Sequence, residues 1–139
     1  MRRHIPNILT SLNLLCGCIG IYYLVEVNFY IAALLIFIAA VFDFLDGMSA
    51  RLLKAYSPVG KSLDSLADLV SFGILPGLLL LKLQLDLTHT GLQPEFWSQY
   101  GPSFFFIIFS PLFIPLFSAL RLAKFDNDPS QSEIFKGLP

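Results

Sequence analysis

Four long apolar runs divide the chain, and most polar residues lie between them. The runs cover residues 8–25, 29–45, 66–85 and 104–122. A helix needs roughly 20 predominantly apolar residues to cross the hydrocarbon core of a bilayer. Lipid tolerates only helices or closed barrels, because every backbone polar group must find a partner within the protein. The pattern therefore predicts an all-α polytopic membrane helix bundle with four transmembrane spans, in one domain over residues 1–139.

Short polar or proline-containing segments shape this bundle. Only residues 26–28 separate the first two runs, so we expect a helical hairpin with its turn there. Pro76, Pro111 and Pro115 lie within the third and fourth runs. Proline removes a backbone donor and should kink or interrupt these helices.

Composition and charge exclude other classes. Apolar residues make up 55% of the chain, charged residues 14%, and the mean hydropathy is +0.70. A soluble domain carries roughly a quarter charged residues. The formal net charge of -1 offers no basic footprint, so we expect no nucleic-acid partner.

Basic residues predict the orientation in the membrane. Eight of the nine lysines and arginines flank the same ends of the predicted spans, and only Lys82 falls near the other side. Lysine and arginine accumulate on the cytoplasmic side. We therefore expect the N-terminus in the cytoplasm. The eight residues are Arg2, Arg3, Arg51, Lys54, Lys61, Arg121, Lys124 and Lys136.

Four aspartates lie at this cytoplasmic side, within or beside apolar runs. Asp43 and Asp46 are three residues apart, and Asp64 and Asp68 are four apart, so each pair shares one helix face. An ionisable group at membrane depth costs at least roughly 2.5 kcal/mol on the mildest scale. The segment joining the two helices is short, so they can be antiparallel neighbours. We expect all four carboxylates to converge in one pocket.

Four converging carboxylates cannot all stay ionised without cations. All-oxygen ligand sets favour hard ions such as Mg²⁺, Mn²⁺ or Ca²⁺, and two metals roughly 3.5–4 Å apart commonly serve phosphoryl displacement. The small residues Gly47, Ala50 and Gly60 would let a pyrophosphate approach the backbone, and Arg51 could contact its oxygens. Interfacial acids that simply pair with nearby basic residues are the alternative. That alternative suits a single aspartate better than four at helical spacing.

The full spacing resembles a known enzyme signature. Residues 43–51 read DFLDGMSAR, and after eight residues comes Gly60-xxx-Asp64-xxx-Asp68. All eight fixed positions match the signature of the CDP-alcohol phosphatidyltransferases. Residues 5–10 resemble the start of these enzymes. Residues 63–73, 119–125 and 135–139 are similar to the phosphatidylserine synthase branch of bacterial type.

The resemblance implies a function and a location. It implies transfer of a phosphatidyl group from CDP-diacylglycerol to L-serine, giving phosphatidylserine and CMP, in the bacterial cytoplasmic (inner) membrane. It also implies a homodimer in contact with membrane lipid, with the active site on the cytoplasmic side. Such enzymes usually have about six spans, so we expect this chain to be a C-terminally truncated fragment.

The resemblance also implies metal and catalytic roles. Two divalent cations, Mn²⁺ or Mg²⁺, would be bound by the carboxylates, and Asp68 would also be catalytic, accepting a proton from the acceptor hydroxyl. The expected metal ligands are Asp43, Asp46, Asp64 and Asp68.

Substrate contacts are expected around this cluster. Arg121 could pair with the serine carboxylate, although its place at the cytoplasmic end of a span explains it equally well. Ser57 could instead cap a helix ahead of Pro58, and Asn7 and Thr10 could instead cap the first span. The expected CDP-diacylglycerol contacts are Gly47, Ala50, Arg51, Ser57, Asn7 and Thr10.

Two alternatives stay open, and only the second belongs to another functional class. A sibling transferase could use inositol phosphate or glycerol phosphate, and it would favour additional basic residues around the pocket. A membrane ion carrier would spread its acids through the bilayer depth, whereas here they cluster at one end. The residues leave open whether the donor lipid is diacyl or ether-linked.

Overall fold

The described part of the chain is helical throughout. The computed structural model describes residues 4–53, 57–87 and 106–126. Four helical stretches in these ranges are long and apolar enough to cross a membrane, which confirms the predicted helical membrane architecture. They run over Ile5–Val25, Phe29–Leu53, Pro58–Asp86 and Phe106–Lys124.

The first two spans are uninterrupted helices, α1 (Ile5–Val25) and α2 (Phe29–Leu53). The turn between them matches the predicted hairpin. Val27 adopts a φ of 61°, the left-handed conformation that commonly ends a helix. Asn28 donates its backbone N–H to the Tyr23 carbonyl at 2.9 Å. Its side-chain Oδ1 accepts from the Ile31 N–H at 3.3 Å. The turn therefore closes α1 and opens α2 with few residues.

The third span changes helix type in its middle. It comprises α3 (Pro58–Asp68), a π-helical segment (Leu69–Ile74) and α4 (Leu75–Leu87). The π-helical segment begins directly after Asp68 and ends two residues before Pro76. Such single π turns often occur at functional sites. The fourth span contains a 3₁₀ turn (Ser110–Leu112) followed by α5 (Phe113–Asp126). The predicted proline interruptions thus take the form of changes in helical pitch.

Helix α1 packs against both α2 and the third span along one face. Every third or fourth residue of that face is buried. Gly17 is required by this packing, because a Cβ there would lie 2.6 Å from the Ser71 hydroxyl oxygen. The buried residues at this spacing are Pro6, Thr10, Asn13, Gly17, Gly20 and Leu24.

The end of α1 farthest from the aspartates is closed by a lysine from the third span. Lys82 Nζ donates to the Leu24 carbonyl at 2.8 Å and to the Val25 carbonyl at 3.1 Å. These carbonyls belong to the last turn of α1, where the helix dipole is negative. Lys82 therefore ties α4 to the end of α1.

Candidate active site

Three of the four aspartates form a compact acidic group. Carboxylate oxygens of Asp43, Asp64 and Asp68 all lie within 4.8 Å of one another, and each side chain is half-buried. Asp43 comes from α2, and the other two come from successive turns of α3. Oxygens this close suit a hard divalent cation, which neutralises their mutual repulsion. This acidic group could therefore hold a metal ion.

Asp46 lies outside the acidic group. The sequence predicts that all four carboxylates converge, and the structure brings three of them together. Its side chain is 5% exposed, and Thr10 Oγ1 donates to Asp46 Oδ2 at 2.6 Å. Residues three apart on a helix differ by roughly 60° around its axis. This difference directs Asp46 toward α1 and away from the carboxylates of α3. Asp46 stays a predicted metal ligand.

Asn13 connects α1 to the acidic group. Its side chain is fully buried, and Nδ2 donates to Asp68 Oδ1 at 3.3 Å. Behind it, the Ser71 hydroxyl donates to the Asn13 backbone carbonyl at 3.1 Å. The sequence reasoning missed Asn13. The signal was available, because an amide inside an apolar run is expensive in a membrane and usually functional.

A cavity of about 620 Å³ adjoins the acidic group through Asp64. All six residues that are predicted to contact CDP-diacylglycerol line this cavity, and so do Asp46 and Gly60. Asp43 and Asp68 are not among its lining residues. The cavity is lined by Pro6, Asn7, Thr10, Asp46, Gly47, Ala50, Arg51, Ser57, Pro58, Gly60, Lys61 and Asp64.

The two glycines of the signature have different surroundings. A Cβ at Gly47 would meet nothing within 4 Å, so helix packing does not require glycine there. A Cβ at Gly60 would lie 2.9 Å from both Asn7 Oδ1 and Ser57 Oγ. Gly47 therefore leaves free space at the cavity, whereas Gly60 allows α3 to begin close to α1.

Ser57 caps the N-terminus of α3, which was one of its two expected roles. Its side chain accepts the Gly60 N–H at 2.9 Å, ahead of Pro58 in the first turn of α3. Its position in the cavity lining leaves its hydroxyl near the predicted donor contacts as well. Asn7 lies opposite, at the start of α1.

The structure does not bring Arg121 to this cavity. Arg121 is exposed on α5 and does not line the cavity. Its predicted pairing with an acceptor carboxylate stays a prediction. The thiols of the buried Cys16 and the exposed Cys18 are both free.

The family model for CDP-alcohol phosphatidyltransferase matches residues 3–125. The chain belongs to this family. This confirms the resemblance carried by the signature over residues 43–68.

Several relatives of the chain carry serine in their names. The CDP-diacylglycerol–serine O-phosphatidyltransferase of Bacillus subtilis (strain 168) is 36% identical, over 98% of this chain and 68% of its own length. That of Helicobacter pylori (strain J99 / ATCC 700824) is 32% identical, over 96% of this chain and 51% of its own length. The archaetidylserine synthase of Methanothermobacter thermautotrophicus is 29% identical, over 97% of this chain and 52% of its own length.

The chain spans about two thirds of the Bacillus protein and about half of the other two relatives. No solved structure matches the chain significantly.

Proposed function

We propose that the chain transfers a phosphatidyl group from CDP-diacylglycerol to L-serine, giving phosphatidylserine and CMP. The observation that carries the proposal is the acidic group of Asp43, Asp64 and Asp68 beside a cavity lined by the signature residues. Family membership supports the reaction class. The names of the bacterial relatives support serine as the acceptor.

The acidic residues would hold two divalent cations, Mn²⁺ or Mg²⁺. Three carboxylates within 4.8 Å suit such ions. Asp46, which lines the adjoining cavity, would be the fourth ligand. Bound cations would neutralise the donor pyrophosphate and stabilise the departing phosphate.

The remaining chemistry belongs to the side chains of the protein. Asp68 accepts the proton of the serine hydroxyl as its oxygen bonds to the β-phosphorus of the donor. The bond from that phosphorus to the bridging oxygen breaks, and CMP leaves with the oxygen. Arg51 contacts the donor phosphates with its fixed fork of N–H donors. Gly47 and Ala50 leave room for the nucleotide, with Asn7 and Ser57 at the cavity wall.

The cavity lies at the end of the bundle that carries the basic residues, which supports a cytoplasmic active site. The donor's acyl chains stay in the bilayer while its head group occupies the cavity. We therefore place the protein in the bacterial cytoplasmic membrane with its N-terminus inside. A homodimer is part of the same proposal, on family grounds.

A sibling reaction is the second candidate. Arg51 and Lys61 both line the cavity and could bind a phosphorylated acceptor such as glycerol phosphate or inositol phosphate. The donor pyrophosphate would occupy the same two basic side chains, which leaves less positive charge for an acceptor phosphate and favours serine, which carries no phosphate. An ion carrier is disfavoured because the four signature aspartates gather at one end of the bundle.

One assay separates these candidates. The full chain, purified in detergent, is given CDP-diacylglycerol with labelled L-serine, glycerol 3-phosphate or inositol phosphate, and both CMP release and lipid label are measured. Serine should outcompete the phosphorylated acceptors by a wide margin. Equal turnover with a phosphorylated acceptor would move the chain to a sibling function. Repeating the assay with an ether-linked CDP lipid decides the donor.

A further inference from the structure

Helix α1 supplies two polar side chains to aspartates that lie on other helices. Thr10 Oγ1 donates to Asp46 Oδ2 at 2.6 Å, and Asn13 Nδ2 donates to Asp68 Oδ1 at 3.3 Å. Thr10 and Asn13 are one helical turn apart on the buried face of α1. The same face therefore contacts one carboxylate from α2 and one from α3.

Both donors are buried where polar groups are costly. Thr10 is 4% exposed and Asn13 is 0% exposed. A buried hydroxyl or amide in an apolar helix destabilises the fold unless it is hydrogen-bonded. The hydrogen bonds to Asp46 and Asp68 offset a desolvation cost that apolar residues at these two positions would not incur.

The Thr10 hydroxyl has one proton and two nearby acceptors. The Pro6 carbonyl lies at 3.0 Å, and Asp46 Oδ2 lies at 2.6 Å. The shorter distance is typical of a hydroxyl that donates to a carboxylate. The hydroxyl is therefore engaged with Asp46, although Thr10 also lines the cavity.

Asn13 is fixed from behind by the π-helical segment. The Ser71 hydroxyl donates to the Asn13 carbonyl at 3.1 Å, and Gly17 provides the space that this approach needs. Among the described residues, Asn13 Oδ1 has no hydrogen-bond partner. The Asn13 side chain is therefore hydrogen-bonded through its Nδ2 donor, which is the group that a carboxylate can accept from.

We infer that Thr10 and Asn13 are positioning residues, which orient Asp46 and Asp68 toward the cations and the acceptor hydroxyl. For turnover the inference rests on the proposed function, and for cation binding it rests on the acidic residues alone. Partners that orient metal ligands typically change metal affinity or activity by about 10–100-fold when they are removed. Thr10 thereby acts through Asp46.

The Thr10 test measures Mn²⁺ affinity of the full chain in detergent by electron paramagnetic resonance. Thr10→Val removes the hydroxyl at constant shape and should weaken Mn²⁺ binding by about 10-fold or more. Thr10→Ser retains the hydroxyl and should bind Mn²⁺ within about 3-fold of the unmodified chain. The matched control is Ser11→Ala, because the exposed Ser11 hydroxyl donates only to the Asn7 carbonyl at 2.8 Å. This control should bind Mn²⁺ normally.

A double-mutant cycle separates positioning from general support of the fold. If Thr10 acts through Asp46, Thr10→Val should cause no further loss of Mn²⁺ affinity in an Asp46→Asn chain. Equal losses in both backgrounds would overturn the inference. Should Thr10→Val fail to fold, Thr10→Ser decides alone, since a 10-fold loss with the hydroxyl present would also overturn it.

The Asn13 test uses steady-state kinetics. Asn13→Leu should lower kcat by about 10–100-fold and leave KM for CDP-diacylglycerol within about 3-fold. The same substitution in an Asp68→Asn chain should cause no further loss of kcat. Losses that are equal in both backgrounds would refute the role of Asn13, as would an unchanged kcat. If Asn13→Leu does not fold, Ser71→Ala must show the same split of kcat from KM in weaker form, and unchanged kinetics would refute it.

The two failures are distinguishable. If the unmodified chain gives no CMP with serine but Thr10→Val still weakens Mn²⁺ binding, the proposed function fails and the positioning role stands. If the unmodified chain transfers to serine and both Thr10→Val and Asn13→Leu match it, the positioning role fails alone.

Discussion

The two ends of the bundle treat buried charge in opposite ways. At one end, oxygens of Asp43, Asp64 and Asp68 lie within 4.8 Å of one another. At the other end, Lys82 donates to the Leu24 and Val25 carbonyls. Like charges repel and destabilise the fold, whereas an ammonium at a helix C-terminus stabilises it. One end therefore offers a site for a cation from solution, whereas the other end supplies its own cation.

This contrast separates function from stability. Substitutions at the acidic end should impair cation binding and turnover more than folding. Substitutions at the Lys82 end should impair folding and leave the chemistry of each folded molecule intact. The following predictions test the contrast, from the largest expected effect to the smallest.

Removing one carboxylate of the acidic group should have the largest effect. Asp64→Asn and Asp43→Asn should each reduce CMP release to background and weaken Mn²⁺ binding, because a charged ligand is lost. In metal-free buffer the same variants should unfold at an equal or higher temperature, because repulsion is relieved. Turnover is checked by CMP release and stability by thermal unfolding in detergent.

Removing the metal with a chelator tests the same cation site without any substitution. Activity should vanish in excess chelator and return with Mn²⁺ or Mg²⁺. Full activity with bound metal shown to be absent would contradict the metal assignment.

Asp68→Asn should cause the next largest loss of turnover. Loss of the proton acceptor should reduce turnover by about 10²–10⁴-fold. Donor binding and at least one cation should remain, because the other carboxylates are intact. Donor affinity and Mn²⁺ stoichiometry are measured beside turnover. A loss of metal as complete as in Asp43→Asn would make Asp68 mainly a ligand.

Lys82→Met should reverse the pattern. It removes two charged hydrogen bonds to the end of α1, so the free energy of unfolding should fall by about 1–2 kcal/mol. Turnover per folded molecule should stay within about 2-fold, because the acidic end is unaffected. Lys124→Met is the matched control, since Lys124 is exposed on α5. Equal destabilisation by both variants would show that the Lys82 contacts contribute nothing specific.

Two glycines give the smallest and most selective contrast. Gly47→Ala should stabilise α2 by about 0.5–1 kcal/mol, yet raise KM for CDP-diacylglycerol, because its Cβ enters the open space beside the cavity. Gly77→Ala should destabilise the fold without changing KM, since its Cβ would lie 2.9 Å from Pro115 Cδ and 3.1 Å from the Pro111 carbonyl oxygen. Unfolding temperature and KM are measured for both. An unchanged KM in Gly47→Ala would argue against donor contact at Gly47.

Much of the architecture was predictable because it is local. Apolar runs of sufficient length predicted the four spans, and the short break at residues 26–28 predicted the hairpin. The four-residue spacing of Asp64 with Asp68 placed that pair on one helix face, whereas the three-residue spacing of Asp43 with Asp46 did not bring both into one group. These inferences use only helical periodicity and the cost of burying polar groups in lipid.

The sequence by itself therefore determined the membrane class, the helices and the set of acidic and small residues that the signature contains. Only the tertiary structure decided which faces meet. The packing of the helices brought Thr10 to Asp46 and Asn13 to Asp68, left Arg121 outside the cavity, and paired Lys82 with α1. Periodicity fixes a side chain on its own helix, but the contact between helices depends on packing across 36 or more residues of chain.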